Sequence, residues 1–343
     1  MKLHKISVQK STEVIPCRKG SVIALSLNLT TLPESLREVE KNHFYTMDYP
    51  GDYKLDEFLK TGVGSDHELA EFIRDVLLDG RAEIPSMPHI GCSCYAGQLE
   101  NGDKIFGRNF DVSPAPCMMM RTRPSDGYAS LSMVNLEYCG LAYDKLPLTD
   151  ALTPYVLSTP YKALDGINEK GLAIGVLSAK DHITDQNTGK IGVTTTSAIR
   201  IVLDRCANVK EAVEMLGRFD MHQSRGSNYH FQITDALGES VVVEYANGQM
   251  YAWDARYVTN FFLTPGIDKT GCGRNRYEIL ERFVTETGGV FADMSAAMEP
   301  LKQASEDGTR WSAVYNMTDL SVLISLEHNF TYSYTFRLDD PSL

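Results

Sequence analysis

A thiol, a cation and a carboxylate lie close together between residues 91 and 111. Arg108 and Asp111 follow Cys92 by 16 and 19 residues. A thiol acts as a nucleophile only as its thiolate, and a neighbouring guanidinium lowers the pKa of the thiol. A carboxylate can hold an amine or an ammonium group in position. The spacing therefore predicts an activated thiol with a carboxylate beside it.

A hairpin would bring these residues together. Strand patterns over 94–99 and 104–107 are separated by residues 100–103, which contain an Asn-Gly pair typical of a tight turn. The second strand would carry Arg108 and Asp111 back beside the start of the first.

The residues before Cys92 have a different pattern. Helices are predicted over 34–44 and 68–78, the second with its apolar residues on one face. Pro85 and Pro88 predict an extended, irregular approach to the Gly91–Cys92 bond, because proline fixes its own backbone and restricts the residue before it.

Strand patterns dominate the rest of the chain. They run over 129–135, 172–177, 229–234, 240–245, 249–253, 257–260, 311–316, 321–326 and 332–338. Helices are predicted over 195–206, 209–219, 276–285 and 295–305. Runs of hairpins broken by helix pairs predict an α+β fold of antiparallel sheets covered by helices, in four layers.

The motif around Cys92 resembles the choloylglycine hydrolase family, which includes bile salt hydrolases and penicillin V acylases. The residues before the cysteine are similar in layout to the related acid ceramidases and isopenicillin N acyltransferases. The family carries its Arg and Asp in a Gly-Arg-Asn-x-Asp setting, as in 107–111 here. Three further blocks resemble the family: Asp165–Leu172, the hairpin from Asn228 that ends in Thr259-Asn260, and Thr309–Tyr315. The resemblance covers residues 91 to about 326.

The resemblance implies a four-layer αββα sandwich of two antiparallel sheets, the N-terminal-nucleophile hydrolase fold. It implies an activation segment at 1–91 and a catalytic domain at 92–343. Cleavage between Gly91 and Cys92 would uncover the nucleophile. The implied reaction is hydrolysis of a linear carbon–nitrogen amide bond in a small-molecule substrate through a thioester acyl-enzyme.

Roles for individual residues also follow from the resemblance. Cys92 would be the nucleophile and its freed α-amine the general base, since an α-amine titrates close to neutral pH. Arg108 would support the thiolate and Asp111 would orient the amine. Asn260 would donate to the oxyanion, and Arg276 would belong to the same site.

Four more residues are candidates for contact with substrate. Arg274 is the second choice for the late arginine. Ser178 replaces an asparagine of bile salt hydrolases, at a position whose backbone N–H serves the oxyanion hole, so bile-salt specificity is in doubt. Met118 and Met120 would suit an adaptable apolar acyl pocket, with plain core packing as the alternative.

Other interpretations stay open. Cys92 could be an ordinary buried thiol, and Arg108 with Asp111 an ordinary surface ion pair. His89, Cys92 and Cys94 could hold a metal, although no second Cys-x-x-Cys pair follows. An acyltransferase that passes the acyl group to an amine is an alternative function, and an unprocessed binding protein of the same fold is another.

Composition excludes some partners. The net charge of −12 over 343 residues argues against nucleic acid, which requires clustered Lys and Arg. Seven scattered cysteines predict reduced thiols in the cytoplasm. The sequence has neither a secretory signal pattern nor an apolar run long enough for a membrane span. No cofactor is implied, and a homo-oligomer is left open.

Overall fold

The computed structural model describes residues 3–4, 26–85, 91–179, 184–224, 227–267, 271–341 and 343. In chain order, the described strands are β1 (Leu3–His4), β2 (Arg37–Glu40), β3 (Phe44–Asp48), β4 (Gly91–Leu99), β5 (Lys104–Asp111), β6 (Cys117–Thr122), β7 (Ser130–Asn135), β8 (Ala163–Asn168), β9 (Ala173–Ala179), β10 (Ile191–Thr194), β11 (Phe219–His222), β12 (Asn228–Thr234), β13 (Ser240–Ala246), β14 (Gln249–Asp254), β15 (Tyr257–Val258), β16 (Val290–Phe291), β17 (Thr309–Asn316), β18 (Ser321–Leu326) and β19 (Asn329–Arg337).

The described α-helices are α1 (Leu55–Thr61), α2 (Asp66–Phe72), α3 (Thr153–Leu157), α4 (Thr195–Arg205), α5 (Val209–Leu216), α6 (Arg274–Glu286), α7 (Met294–Ala297) and α8 (Glu299–Gln303). A π-helical turn over Ile73–Leu77 continues α2. Turns of 3₁₀ helix occupy Leu136–Cys139, Tyr143–Lys145, Asp150–Leu152 and Thr159–Lys162. Among the described residues, no helix is long and apolar enough to cross a membrane.

Two sheets form the centre of the molecule. The large sheet has ten strands in the order β1-β14-β13-β12-β9-β8-β7-β6-β3-β2. The second sheet runs β15-β4-β5-β17-β18-β19, with β16 also paired to β4. Most neighbours are antiparallel, as expected. Three pairs are parallel, namely β3–β6, β4–β16 and the separate two-stranded ribbon β10–β11.

The sheets face each other, and helices cover their outer surfaces. Strand β4 of the second sheet contacts β9 of the large sheet. Helices α4 and α5 pack on β8, β9, β12 and β13 of the large sheet, whereas α6, α7 and α8 pack on β4, β5 and β17 of the second. The predicted four-layer αββα fold is confirmed.

The predicted helix over 34–44 is wrong. This stretch contains β2 and the first residue of β3, and β3 pairs in parallel with β6. Strand β3 buries Phe44, Tyr45 and Met47 beside β6, and β2 pairs with β3, so pairing in the sheet overrides the local helical pattern. The predicted helix over 68–78 is confirmed by α2 and its π-helical turn.

Residues 26–85 pack into the same core as the residues after Cys92. Besides the β3–β6 pairing, the Val63 N–H donates to the Gly192 carbonyl at 2.9 Å. The Tyr161 hydroxyl donates to the Tyr53 carbonyl at 2.9 Å, and the Tyr53 hydroxyl donates to Asp204. This part of the predicted activation segment is therefore built into the sandwich.

Candidate active site

Cys92 is fully buried near the start of β4, between the two sheets. The predicted hairpin is confirmed, since β4 and β5 pair with Gly91 opposite Asp111 and Cys94 opposite Arg108. Cys92 and Cys94 lie two residues apart and face the same side of the strand. The register brings the thiol, the guanidinium and the carboxylate of the sequence motif together.

The Arg108 guanidinium lies against both thiols. Its Nη2 is 3.3 Å from Cys92 Sγ, and its Nη1 is 3.5 Å from Cys94 Sγ. Nη1 also donates to the Val176 carbonyl at 2.5 Å, across the gap between the sheets. A Cβ at Gly175 would lie 3.1 Å from this nitrogen, so glycine leaves room for the arginine to cross.

Asp165 supplies the counter-charge for Arg108. It accepts hydrogen bonds from Arg108 Nε, from Trp311 Nε1 at 3.1 Å and from the Tyr315 hydroxyl. Both members of the ion pair are fully buried. Burial raises the pKa of Asp165, and the Arg108 charge opposes that shift. A buried pair with this many hydrogen bonds fixes the guanidinium beside the thiols.

The Asn260 side chain contacts the backbone of Cys92. Its Oδ1 accepts from the Cys92 N–H at 3.1 Å and from Arg276 Nη2 at 2.6 Å. Its Nδ2 donates to the Ser178 carbonyl at 2.7 Å. Two hydrogen-bond donors contact one end of this amide and one acceptor contacts the other. The first end must therefore be the oxygen and the second the nitrogen.

Arg276 lies in the first turn of α6 and binds several residues of the site. Its Nη1 donates to the Cys92 carbonyl at 2.8 Å, to Ser93 Oγ at 2.9 Å and to Asp111 Oδ2 at 3.0 Å. The preceding N-cap residue, Gly273, has φ 79°. A Cβ there would lie 2.9 Å from Arg276 Nη2, so both backbone conformation and space require glycine.

Asp111 is buried with both carboxylate oxygens in use. Oδ2 accepts from Arg276, and Oδ1 accepts from Thr309 Oγ1 at 2.6 Å. Burial raises the pKa of Asp111, and the Arg276 charge acts in the opposite direction.

Burial controls the chemistry of the two thiols in this intact chain. It raises the pKa of Cys92 to about 11 and that of Cys94 to about 12, and in each case the Arg108 charge opposes the shift. At neutral pH both are therefore thiols rather than thiolates. In the intact chain Cys92 is therefore not the activated thiol that the spacing predicts, but a mostly protonated and less nucleophilic one.

The structure brings Cys92, Arg108, Asp111, Asn260 and Arg276 together, with Gly91 opposite Asp111. The carbonyl of Ser178 joins them through Asn260. Arg274, in contrast, is exposed and its guanidinium lies 4.4 Å from the centre of the Phe261 ring.

Met118 and Met120 are not brought to Cys92. Both side chains are on the face of β6 that packs on the helical layer, and Met120 Sδ accepts from the Thr159 hydroxyl at 3.2 Å. The alternation of side chains along a strand puts Cys117 and Met119 on the inner face instead. This placement does not fit the predicted acyl pocket and corrects that expectation.

The metal alternative involves His89, which lies outside the described residues. Within the described ranges, no group of three or more His, Cys, Asp or Glu side chains could hold a metal ion. The six cysteines in those ranges are all free thiols.

The sequence interpretation missed three residues of the site. Asp165 binds Arg108, Ser93 binds Arg276, and Thr309 binds Asp111. Asp165 and Thr309 both lie in blocks that resemble the family, but neither received a role. A charged residue inside an otherwise apolar strand was the available signal, because a buried charge needs a partner.

Comparison with known proteins identifies the family. A family model described as acyl-coenzyme A:6-aminopenicillanic acid acyl-transferase matches residues 98–277, more than half of the chain. The chain belongs to this family. Penicillin V acylase from Pectobacterium atrosepticum is 32% identical over 96 residues, which cover 25% of this chain and 26% of that relative. The match thus spans about a quarter of the relative's length.

Solved structures agree on the fold. Two variants of the conjugated bile acid hydrolase from Clostridium perfringens have TM-scores of 0.50 and 0.50 at 16% and 14% identity. They cover 73% and 72% of this chain, and 94% and 93% of their own. The predicted relationship to the choloylglycine hydrolase family is confirmed. The likeness to these structures shows the N-terminal-nucleophile fold.

Proposed function

We propose that the chain cleaves itself between Gly91 and Cys92 and then uses Cys92 as an N-terminal nucleophile against a linear amide. One observation carries this proposal. Arg108 in β5, Asn260 in the loop after β15 and Arg276 in α6 contact the thiol, the N–H and the carbonyl of the same residue. An ordinary buried cysteine needs no such set of partners.

Self-cleavage would begin with an acyl shift. The Cys92 thiol attacks the Gly91 carbonyl carbon, the carbon–nitrogen bond breaks, and the thiol proton passes to the Cys92 nitrogen. Water then hydrolyses the thioester, which leaves a carboxylate on Gly91 and a free thiol and α-amine on Cys92. Glycine at position 91 leaves the carbonyl without a side chain to shield it.

The new α-amine would then act as the general base. Asn260 Oδ1 already accepts from this nitrogen at 3.1 Å, and Asp111 lies opposite Gly91 on the neighbouring strand. The amine takes the thiol proton, and the thiolate attacks the substrate carbonyl. The leaving nitrogen takes that proton, and water releases the acyl group from Cys92.

Asn260 is suited to hold the oxyanion of the tetrahedral intermediate. A side-chain amide has two N–H groups, and the Ser178 carbonyl uses one of them. The second can donate to the developing negative charge. Arg276 fixes the oxygen end of the same amide, so the donor is held before substrate arrives.

The two products of cleavage would stay together. Strand β3 contributes to the large sheet, and Phe44, Met47 and Phe58 are fully buried in its core. Separating residues 26–85 would expose that core. We therefore propose a two-chain enzyme in which residues 1–91 remain bound to residues 92–343.

Acyl transfer to an amine is the second candidate, because the matching family model is described as an acyl-transferase. The same thioester serves both reactions, and they differ in whether water or an amine attacks it. Added acceptor amines would separate them, since a transferase forms the new amide in preference to the free acid.

A substrate panel tests the main proposal. Processed protein should hydrolyse at least one class among bile acid conjugates, penicillin V, N-acyl amino acids and fatty-acyl amides, whereas Cys92→Ala should hydrolyse none. Acid-quenched turnover samples should show the acyl mass on the fragment that begins at Cys92. Product without that adduct would overturn the thioester mechanism. An intact 38.2 kDa chain that never splits would favour the binding-protein alternative.

A further inference from the structure

A buried histidine and glutamate hold the segment that carries Asn260. His230 Nε2 lies 2.7 Å from the carbonyl oxygen of Thr259, the residue before Asn260. His230 Nδ1 lies 3.2 Å from Glu244 Oε1. Both side chains are fully buried, on the neighbouring strands β12 and β13.

Glu244 holds the other end of the same segment. Its Oε1 accepts from the Leu263 N–H at 2.7 Å. Its Oε2 accepts from the Thr264 N–H at 2.9 Å and from the Thr264 hydroxyl at 2.6 Å. The pair therefore contacts the chain on both sides of Asn260. Both oxygens of the carboxyl group thus accept hydrogen bonds from this segment.

The partners determine how many protons His230 carries. A backbone carbonyl only accepts hydrogen bonds, so Nε2 must donate to Thr259. An ionised carboxylate also only accepts, so Nδ1 must donate to Glu244. A neutral imidazole has a single N–H, whereas an imidazolium has two. A buried carboxylate also needs a counter-charge, and the imidazolium supplies it.

We infer that His230 is a doubly protonated positioning residue, which holds Asn260 for catalysis through Thr259. This inference rests on the proposed function for its catalytic consequence, but not for the protonation state. Arg276 and Ser178 bind the Asn260 side chain, whereas His230 and Glu244 bind the chain before and after Asn260. Loss of the Thr259 hydrogen bond would let the oxyanion donor move.

Nuclear magnetic resonance tests the protonation state without any activity. Cys92→Ala protein with ¹⁵N-labelled histidine should show both ring nitrogens of His230 at imidazolium shifts at pH 7.5. The chain has eight histidines, so spectra of His230→Gln and His222→Gln variants assign the signals. A neutral-tautomer pattern for His230 would overturn the inference, whatever substrate the enzyme proves to use.

Kinetics test the positioning role. His230→Gln should lower kcat by about 10²-fold, because small displacements of catalytic groups have effects of that size, with KM changed less than about twofold. His222→Gln is the matched control, since His222 pairs with Asp185 at a partly exposed position away from the site. It should keep both kinetic constants. Equal losses in the two variants would overturn the role.

A double variant separates position from charge. His230→Gln alone leaves Glu244 buried without its counter-charge, which could disturb the fold. His230→Gln with Glu244→Gln removes both charges together. If the loss of kcat persists in this folded double variant, position is the cause. Recovery to the wild-type kcat would show that His230 only balances charge and would overturn the positioning role. A wild-type protein without activity would contradict the proposed function, but it would not contradict the inference that His230 is doubly protonated.

Discussion

The side-chain oxygen of Asn260 accepts a hydrogen bond from the backbone N–H of Cys92 at 3.1 Å, across 168 positions of sequence. This nitrogen is the one that cleavage would convert into the catalytic amine. One side-chain amide thus contacts the proposed base through its oxygen, and its nitrogen end is suited to the oxyanion. A change at Asn260 should therefore affect both the proposed base and the proposed oxyanion donor.

Asn260→Ala should lower kcat by roughly 10²–10³-fold, the usual effect of removing one oxyanion donor. Asn260→Asp should be worse, because a carboxylate repels a developing negative charge. Steady-state kinetics on processed protein measure both effects, and circular dichroism checks the fold. A folded Asn260→Ala protein with the wild-type kcat would remove this residue from the mechanism.

Purified wild-type protein should contain two fragments, the larger beginning Cys-Ser-Cys-Tyr. The two should co-elute in gel filtration under native conditions, because β3 belongs to the large sheet. N-terminal sequencing and intact mass spectrometry identify the fragments.

Two variants control for the site of cleavage. Cys92→Ala should remain a single chain, because no thiol is available to attack Gly91. Cys94→Ala removes the neighbouring thiol on the same strand face and should still split. Cleavage of Cys92→Ala at the same bond would contradict self-processing by this residue.

Asp165→Asn should destabilise the fold by about 3–5 kcal/mol, because it leaves the buried Arg108 charge without a partner. Glu327→Gln breaks a more exposed pair with Arg310 and should cost less than about 1 kcal/mol. Urea unfolding of both variants in the Cys92→Ala background measures the difference. Similar losses would show that the Arg108–Asp165 pair contributes no more than the more exposed Arg310–Glu327 pair.

Local signals in the sequence were sufficient for the nucleophile hairpin. The Asn-Gly turn set the register of β4 and β5, and the register fixed which residues lie beside Cys92. Asn260 and Arg276 are reached only through long-range packing. They were identified from the resemblance to a family and not from spacing.

Non-local pairing explains the errors. Strands β2 and β3 replace the predicted helix because β6 is available as a parallel neighbour of β3, and a local pattern contains no information about a strand 73 positions away. Which face of the sheet Met118 lies on cannot be read from the sequence of β6. The apolar residues of this strand are continuous, so no alternation of polar and apolar residues distinguishes its two faces.

The last prediction distinguishes Cys92 from Cys94. Burial raises the pKa of both thiols, to about 11 and about 12, so neither should react quickly in the uncleaved chain. With a pKa near 11, only a very small fraction of Cys92 would be a thiolate at pH 7.5. Alkylation of the uncleaved chain should therefore accelerate with rising pH up to about pH 11, since more thiolate forms.

Cleavage should raise the alkylation rate of Cys92 alone, because it supplies an amine that can take the thiol proton. Iodoacetamide at neutral pH, applied along the processing time course, should label Cys92 in the large fragment much faster than in the intact chain. Gel separation of the two species followed by peptide mapping gives both rates from one sample.

Cys94 gains no such base, and its alkylation should stay slow. Arg108→Ala should reduce the rise, because the guanidinium 3.3 Å from Cys92 Sγ stabilises the thiolate. Activity should fall in proportion to the label on Cys92. If the label appeared mainly on Cys94 and activity fell with it, the nucleophile would be Cys94, and the assignment based on the intervals to Arg108 and Asp111 would be wrong.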